Sequence, residues 1–345
     1  MTLIEIFQEA VLKNASDVHI MVGKPPILRV DGELKIIKNA PSITKKTVQD
    51  LIFQILSSRQ KERLINEKEL DTSYEIPDKT RFRINCHFEK GNLGLVARII
   101  PAKIPTMEEV LMPEVVYELT RKKQGLILLT GPTGCGKSTS LAAMINLINS
   151  ERSVHIVTLE DPIEFIFQPI KSIIRQREIG TDTLSFAEGL KHVLRQDPNV
   201  IMVGEMRDLE TIATTLTLAE TGHLVLATLH TNNASQTIDR IIDVFPPYQQ
   251  DQIRIQLSMV LSGVIAQQLL PRQGGGRIAA REIMINTPAI ANLIRENKSA
   301  QIKSVIQTSA DKEMMTMDQN LEELVRQKLI SKEVANMYMV DGKAK

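Results

Sequence analysis

Nine residues, GPTGCGKST at 131–139, carry the clearest chemistry in the chain: they match Gly, four residues, then Gly-Lys-Ser without a gap. Glycine tolerates the backbone angles that turn successive N–H groups inward, toward phosphate oxygens. Lys137 supplies a mobile cation for the β- and γ-phosphates of a nucleoside triphosphate, and the Ser138 hydroxyl can reach its Mg²⁺. The apolar run GLILLT leads straight into the loop, and a helical pattern begins near Lys137. The helix adds its positive N-terminal dipole to the anion site. Gly131, Pro132, Thr133, Gly134, Cys135, Gly136, Lys137, Ser138 and Thr139 are therefore the candidate nucleotide ligands. Cys135 is expected to be a small filler in that loop.

Hydrolysis needs a carboxylate to hold the metal's water shell and one, the same or another, to orient the attacking water. LEDPIEF offers Glu160, Asp161 and Glu164, and VIMVGEMRD offers Glu205, Arg207 and Asp208. Both blocks end or follow apolar runs, and the carboxyl end of a parallel strand beside a phosphate loop suits either task. Glu205 is the stronger candidate. It stands where Asp is more usual, so its longer arm is expected to reach the metal through water. Glu164 and Glu160 come second, the alternative being that this segment caps a turn before a helix. His223 and His230 lie at the two ends of one strand pattern, so only one of them can face phosphates. Arg81 and Arg83 alternate onto one face of the strand RFRINCHF, and Arg98 follows in LGLVARII. Three arginines near a domain boundary can stabilise phosphate charge; a solvated cationic strand face is the other reading.

The elements that must position these groups divide in two. The first part alternates helix and strand patterns and has no phosphate loop. Leu3, Ile6, Phe7, Ala10 and Val11 repeat at helical spacing, and ILRV, Asp31-Gly32 and ELKII read as a hairpin. Thr44 caps a helix presenting Val48, Leu51, Ile52 and Ile55. Phe82, Ile84, Cys86 and Phe88 share a strand face, and Gly91-Asn92 turns the chain. This is a small α+β domain. Pro101 and Pro105 bracket a linker, a helix is expected over about 108–120, and the boundary falls near Pro113 to Gln124. The domains are thus 1–112 and 113–345. From Gly125, short β-branched runs alternate with helical patterns over about 137–149, 185–195 and 208–221, which argues for an α/β sheet with a parallel core. From about 287 the pattern is all helix, with Thr287 as cap and Pro288 at the first position.

Composition narrows the class. At 345 residues and 43% hydrophobic, the chain can build two cored domains, and with 3% aromatics and no Trp its 14 Met and the aliphatics must fill them. Forty-two basic against 41 acidic residues give a net charge of +1, without the basic excess of a nucleic-acid binder. The two cysteines, Cys86 and Cys135, form no metal-type pair, and a reducing compartment fits best. The N-terminus reads as an amphipathic helix and no run of about 18 apolar residues occurs. A cytoplasmic or peripheral protein without a transmembrane segment is expected.

Four blocks, GPTGCGKST, VTLEDPIEF, VLRQDPNVIMVGEMRD and ETGHLVLATLHTNNASQTIDRIIDVFP, resemble in order and spacing the Walker A motif, Asp box, Walker B motif and His box of one family. These are the secretion-type ATPases of type IV pilus and type II secretion systems, and the resemblance covers nearly the whole chain. The ending AREIMINTPAIANLIRE is similar to the C-terminal AIRNLIRE motif of the pilus-retraction members, with Ala291 where the family carries Arg. The resemblance implies an α/β, RecA-like P-loop ATPase domain joined to an N-terminal PAS-like α+β domain. It implies ATP and Mg²⁺, a homohexameric ring, and arginines of the first domain, here Arg81, Arg83 and Arg98, reaching the phosphates. Glu205 becomes the Walker B glutamate, with Glu205 or Glu164 the general base, and His230 a residue near the nucleotide. The implied work is pilus retraction at the cytoplasmic base of the inner membrane, acting on a platform protein there and alongside a retraction paralogue. Assembly ATPases of the family carry a long N-terminal extension and a cysteine-rich zinc site, which this sequence does not display. A nucleotide-gated adaptor ring and a nucleic-acid translocase are the rival classes; the acidic residues oppose the first and the near-zero charge the second.

Overall fold

The computed structural model describes residues 1–30, 32–100 and 103–339. Asp31 of the expected hairpin turn and Pro101 of the expected linker lie outside them. The chain divides into two units, one formed by Met1–Lys103 with Pro162–Ile166, the other by Ile104–Asp161 with the residues from Phe167 onward.

In the first unit the chain runs α1 (Leu3–Leu12), β1 (Asp17–Ile20), β2 (Ile27–Val30), β3 (Glu33–Ile36), α2 (Lys45–Ile55), α3 (Ser58–Glu67), β4 (Glu69–Glu75), β5 (Arg81–Glu89) and β6 (Asn92–Ile100). The strands form a sheet in the order β3-β2-β1-β6-β5-β4, antiparallel throughout. Thr2 and Glu5 cap α1 reciprocally, and its helical spacing buries Leu3, Ile6, Phe7 and Ala10. The Phe7 ring stacks on Phe82 of β5, centroids 4.0 Å apart. Thr44 caps α2 as the sequence indicates. The β5–β6 turn is formed by Lys90 and Gly91, both at positive φ, while Asn92 already pairs with Glu89. The turn expected at Gly91-Asn92 therefore sits one residue earlier, because a two-residue hairpin loop needs both positions left-handed.

The second unit runs α4 (Glu114–Arg121), β7 (Gly125–Thr130), α5 (Lys137–Glu151), β8 (His155–Glu160), β9 (Ile173–Glu178), α6 (Phe186–Val193), β10 (Val200–Val203), α7 (Leu209–Glu220), β11 (Leu224–Leu229), α8 (Ala234–Asp243), α9 (Pro247–Val260), β12 (Leu261–Pro271), β13 (Arg277–Ile285), α10 (Pro288–Arg295), α11 (Ile302–Thr308), α12 (Met317–Arg326) and α13 (Lys332–Tyr338). Its sheet has the order β13-β12-β7-β11-β10-β8-β9, parallel except for the β12–β13 hairpin. Strands β7, β10 and β11 are buried at every residue. That burial is why they read as unbroken apolar runs. The helix expected over 108–120 starts only at Glu114. Leu111 adopts a left-handed conformation and Pro113 has no N–H to donate, so the chain cannot run helically through them. Thr287 caps α10 and Pro288 opens it.

Phe82 is wholly buried at the centre of the first unit. Truncation to Phe82→Ala should remove about 3–5 kcal/mol from the stability of that unit. A urea-unfolding midpoint unchanged from the parent would contradict this packing.

Candidate nucleotide site

The loop between β7 and α5 is shaped by glycine. Gly131, Gly134 and Gly136 have φ of 138°, 78° and 88°. At Gly131 a β-carbon would lie 2.2 Å from the Gln267 carbonyl oxygen and 2.7 Å from Cys135 Sγ. Strand β12 therefore packs directly against the start of the loop and leaves no room for a side chain. At Gly136 the nearest atom to such a carbon is Gln267 Nε2, at 3.0 Å. The Lys137 ammonium reaches back over the loop, donating to the carbonyls of Gly131 at 2.6 Å and Pro132 at 3.1 Å. Ser138 and Thr139 follow in the first turn of α5. The Cys135 thiol is buried, and burial raises its pKa, which suits a filler and opposes a thiolate role.

Glu205, Arg207 and His230 meet at the carboxyl ends of neighbouring strands. β11 lies between β7 and β10, so the loop after β7, Glu205 after β10 and His230 after β11 share one edge of the sheet. Glu205 Oε1 accepts from Arg207 Nε at 2.7 Å and lies 2.9 Å from His230 Nε2. Burial disfavours the Glu205 charge, but the hydrogen bond and charge of Arg207, with the charges of His230 and Lys137, outweigh it and hold the carboxyl below its usual value. It is an ionised acceptor at neutral pH, within electrostatic reach of the phosphate-loop lysine. Gly204 lets the strand end pass close to its neighbour: a β-carbon there would be 3.0 Å from the Leu159 carbonyl oxygen.

The other acidic and histidine candidates do different work. Glu160 is buried and accepts from Thr158 Oγ1 at 2.6 Å and Gln176 Nε2 at 3.0 Å. Asp208 caps α7, accepting from the Thr211 N–H and hydroxyl. Glu164 belongs to the first unit, its carboxylate 3.7 Å from Arg83 Nη1. His223 bonds the Leu218 carbonyl near the end of α7, at the opposite end of β11 from His230. The three arginines come together on the first unit's sheet. Arg83 and Arg98 are register partners across β5 and β6. Like charges so placed repel, and carboxylates answer them: Asp17 holds Arg98 at 2.9 Å and Glu164 faces Arg83. Arg81 Nη2 donates to Ser73 Oγ at 2.5 Å.

Gln267 and Arg281 were not singled out from the sequence. Both are buried: Gln267 donates to the Cys135 carbonyl of the phosphate loop, and Arg281 donates to Gln267. The detectable signal was polar residues inside apolar strands, QQ in VIAQQLL and RE in IAAREIMI. Glu282 is likewise buried and accepts from the Ala234 N–H that opens α8, just beyond His230.

Ser138 and Glu205 offer hard oxygen donors that suit Mg²⁺. Among the described residues no group of three or more His, Cys, Asp or Glu could hold a metal ion. A magnesium ion here would thus take most of its ligands from phosphate and water, as that ion prefers. No helix among the described residues is long and apolar enough to cross a membrane.

A buried parallel strand, a glycine loop and a helix, with an ionised carboxylate at the end of a nearby strand, define a P-loop nucleotide hydrolase core. The chain belongs to the type II/IV secretion system protein family, whose model matches residues 1–340. It is 48% identical over 335 residues to the type IV pilus retraction ATPase PilT of Pseudomonas aeruginosa, covering 97% of each chain. It is 48% identical to a twitching motility protein of Neisseria gonorrhoeae, over 90% of this chain and 83% of that one. The crystal structure of the pilus retraction motor PilT with bound ADP superposes with a TM-score of 0.92 at 47% identity, covering 99% of this chain and 98% of that one. The protein is an ATPase with an α/β, RecA-like core. In α10 the departure from the retraction motif, Ala291, is buried beside Ile290 and Ile294, so the apolar face of the helix is intact.

Two outcomes follow from the geometry. Gly131→Ala would press a methyl group onto the Gln267 carbonyl, and displacement of fluorescent ADP should weaken about 10- to 100-fold. Unchanged displacement would mean the loop tolerates the strain. The lowered pKa of Glu205 adds stability at pH values above the ordinary carboxylate range, and that contribution is lost as pH falls through the folded-state value. The stability gap between the parent and Glu205→Gln, read by urea unfolding, should therefore be full near about pH 7 and shrink below about pH 4. A gap that is flat or widens in acid would contradict the Arg207 and His230 pairing.

Proposed function

We propose that this chain is an ATP-hydrolysing motor that powers type IV pilus retraction, working as a homohexamer. The carrying observation is the ionised Glu205, held by Arg207 and His230 at the carboxyl edge of the sheet and sensing the charge of Lys137. Backbone N–H groups of the loop, those of Thr133, Gly134 and Gly136 among them, would bind the phosphates of ATP. Lys137 would exchange its carbonyl contacts for β- and γ-phosphate oxygens as the triphosphate enters. Glu205 would orient the attacking water and accept its proton, with His230 fixing the carboxylate. Glu164 is the second carboxylate proposed for proton transfer. Arg81, Arg83 and Arg98 would add positive charge to the phosphates as nucleotide is bound. Mg²⁺, when bound, neutralises phosphate charge; Ser138, and Glu205 through water, would hold it. Movement between rigid units on binding and release would then supply the force.

The partners proposed are further copies of the chain, an inner-membrane pilus platform protein and a PilU-like paralogue, with no nucleic acid. The place of work would be the cytoplasmic face of the inner membrane at the pilus base. The PAS-like domain is proposed to cover 1–112 and the ATPase domain 113–345.

Lys137→Ala and Glu205→Ala should each lower phosphate release by about 100-fold or more, with Glu205→Ala still binding ATP. Wild-type turnover in both would overturn the mechanism. Cells lacking the gene should keep pili that do not retract; bald cells would indicate a role in assembly instead.

A further inference from the structure

A line of buried polar groups behind the phosphate loop plays no part in the chemistry above. Gln267 and Arg281 face each other directly across the β12–β13 hairpin. The Gln267 amide donates to the Cys135 carbonyl at 2.6 Å, and its oxygen accepts from Ser140 Oγ at 2.9 Å and Arg281 Nε at 3.1 Å. The far side of the Arg281 guanidinium donates to the carbonyls of Leu111 and Val110, at 3.0 Å each. Its pKa is lowered to about 10 by burial alone, so it remains a cation among neutral oxygens at neutral pH. A buried guanidinium is tolerated only when its N–H groups are paired in this way.

The carbonyls it grips close a single helical turn. Thr106 and Glu109 cap the start reciprocally, at 2.9 and 3.2 Å. The Met112 N–H returns to the Met107 carbonyl at 2.9 Å, with Leu111 at φ 51° in the position where glycine usually ends a helix. Leucine in the left-handed region is strained, and such strain persists where the surroundings hold it. A cation against the last carbonyls of a helical turn is favourable, and Arg281 supplies it.

We propose that Gln267 and Arg281 are positioning residues that transmit the state of the phosphate loop to Val110–Leu111, the turn through which the chain enters the ATPase core. The inference rests on the ATP-site reading above. Bound phosphate fixes the loop and with it the Cys135 carbonyl. The Gln267 amide cannot turn away from that carbonyl without giving up Ser140 and Arg281. Arg281 in turn sets how firmly the strained Leu111 turn is held. Coupling between sites requires an element whose equilibrium both sites bias, and the Val110–Leu111 turn is the element assigned that part here.

The test is amide hydrogen exchange of the full chain with and without saturating Mg·ADP, with ADP affinity measured in parallel. In the parent protein, ADP should slow exchange at Val110–Met112 on the order of tenfold. In Gln267→Met, which keeps length but removes the hydrogen bonds, ADP should still bind at raised concentration while residues 110–112 no longer respond. Arg281→Lys, which keeps the charge and loses the fork, should weaken the response and decides the matter if the methionine variant does not fold. ADP binding with no response at 110–112 in the parent, or a full response in the variants, overturns the coupling and leaves the ATP site standing. Failure of the parent to bind ADP overturns the ATP site itself.

Discussion

The start of the phosphate loop has room for a hydrogen atom and nothing larger. The Gln267 carbonyl of β12 occupies the place a β-carbon at Gly131 would take. This close approach lets the loop leave β7 at a left-handed angle, turn, and deliver Lys137 into the first turn of α5. Everything the site does follows from that path. Anion binding needs N–H groups converging at a helix start, and they converge only if the strand, the loop and the neighbouring strand keep this spacing.

Around that frame the electrostatics are arranged so that opposing charges answer each other. Glu205 is partly desolvated, which alone would favour its neutral form, yet Arg207, His230 and Lys137 keep it ionised. Arg207 is three-quarters exposed, so solvent and salt screen its share, and the pairing serves orientation more than stability. Arg281 represents the other regime. It is buried, with no carboxylate partner among the described residues, and donates to two backbone carbonyls and one amide oxygen. Glu282, its neighbour on β13, is buried as well and accepts from the Ala234 N–H at the start of α8. Two adjacent residues of one strand thus hold, respectively, the Gln267 amide that bonds the loop before α5 and the segment after His230. The functional edge of the sheet is held by buried polar contacts as well as by apolar packing.

Much of this was legible in the sequence, for physical reasons. The phosphate loop is local: its residues are contiguous and their types are fixed by backbone angle and charge. Strands β7, β10 and β11 are buried on both faces, so they stand out as apolar runs. Thr44 and Thr287 are local caps. What escaped was mostly non-local. β9 is an edge strand reading IIRQRE, half exposed, without a clean apolar signal. Gln267 and Arg281 lie far from residue 135 in sequence and meet it only through strand pairing. The separate fates of His223 and His230 depend on which end of β11 carries each, which becomes decisive only once the parallel order of the sheet is known.

Calorimetric titration of the unmodified chain with Mg·ATP bears most directly on the central claim. The account predicts saturable binding of one nucleotide per chain, with inorganic phosphate released afterwards at a rate that follows occupancy. A protein that stays folded yet shows no binding heat and releases no phosphate would contradict it, because the loop at 131–139 would then be a glycine-rich turn and nothing more.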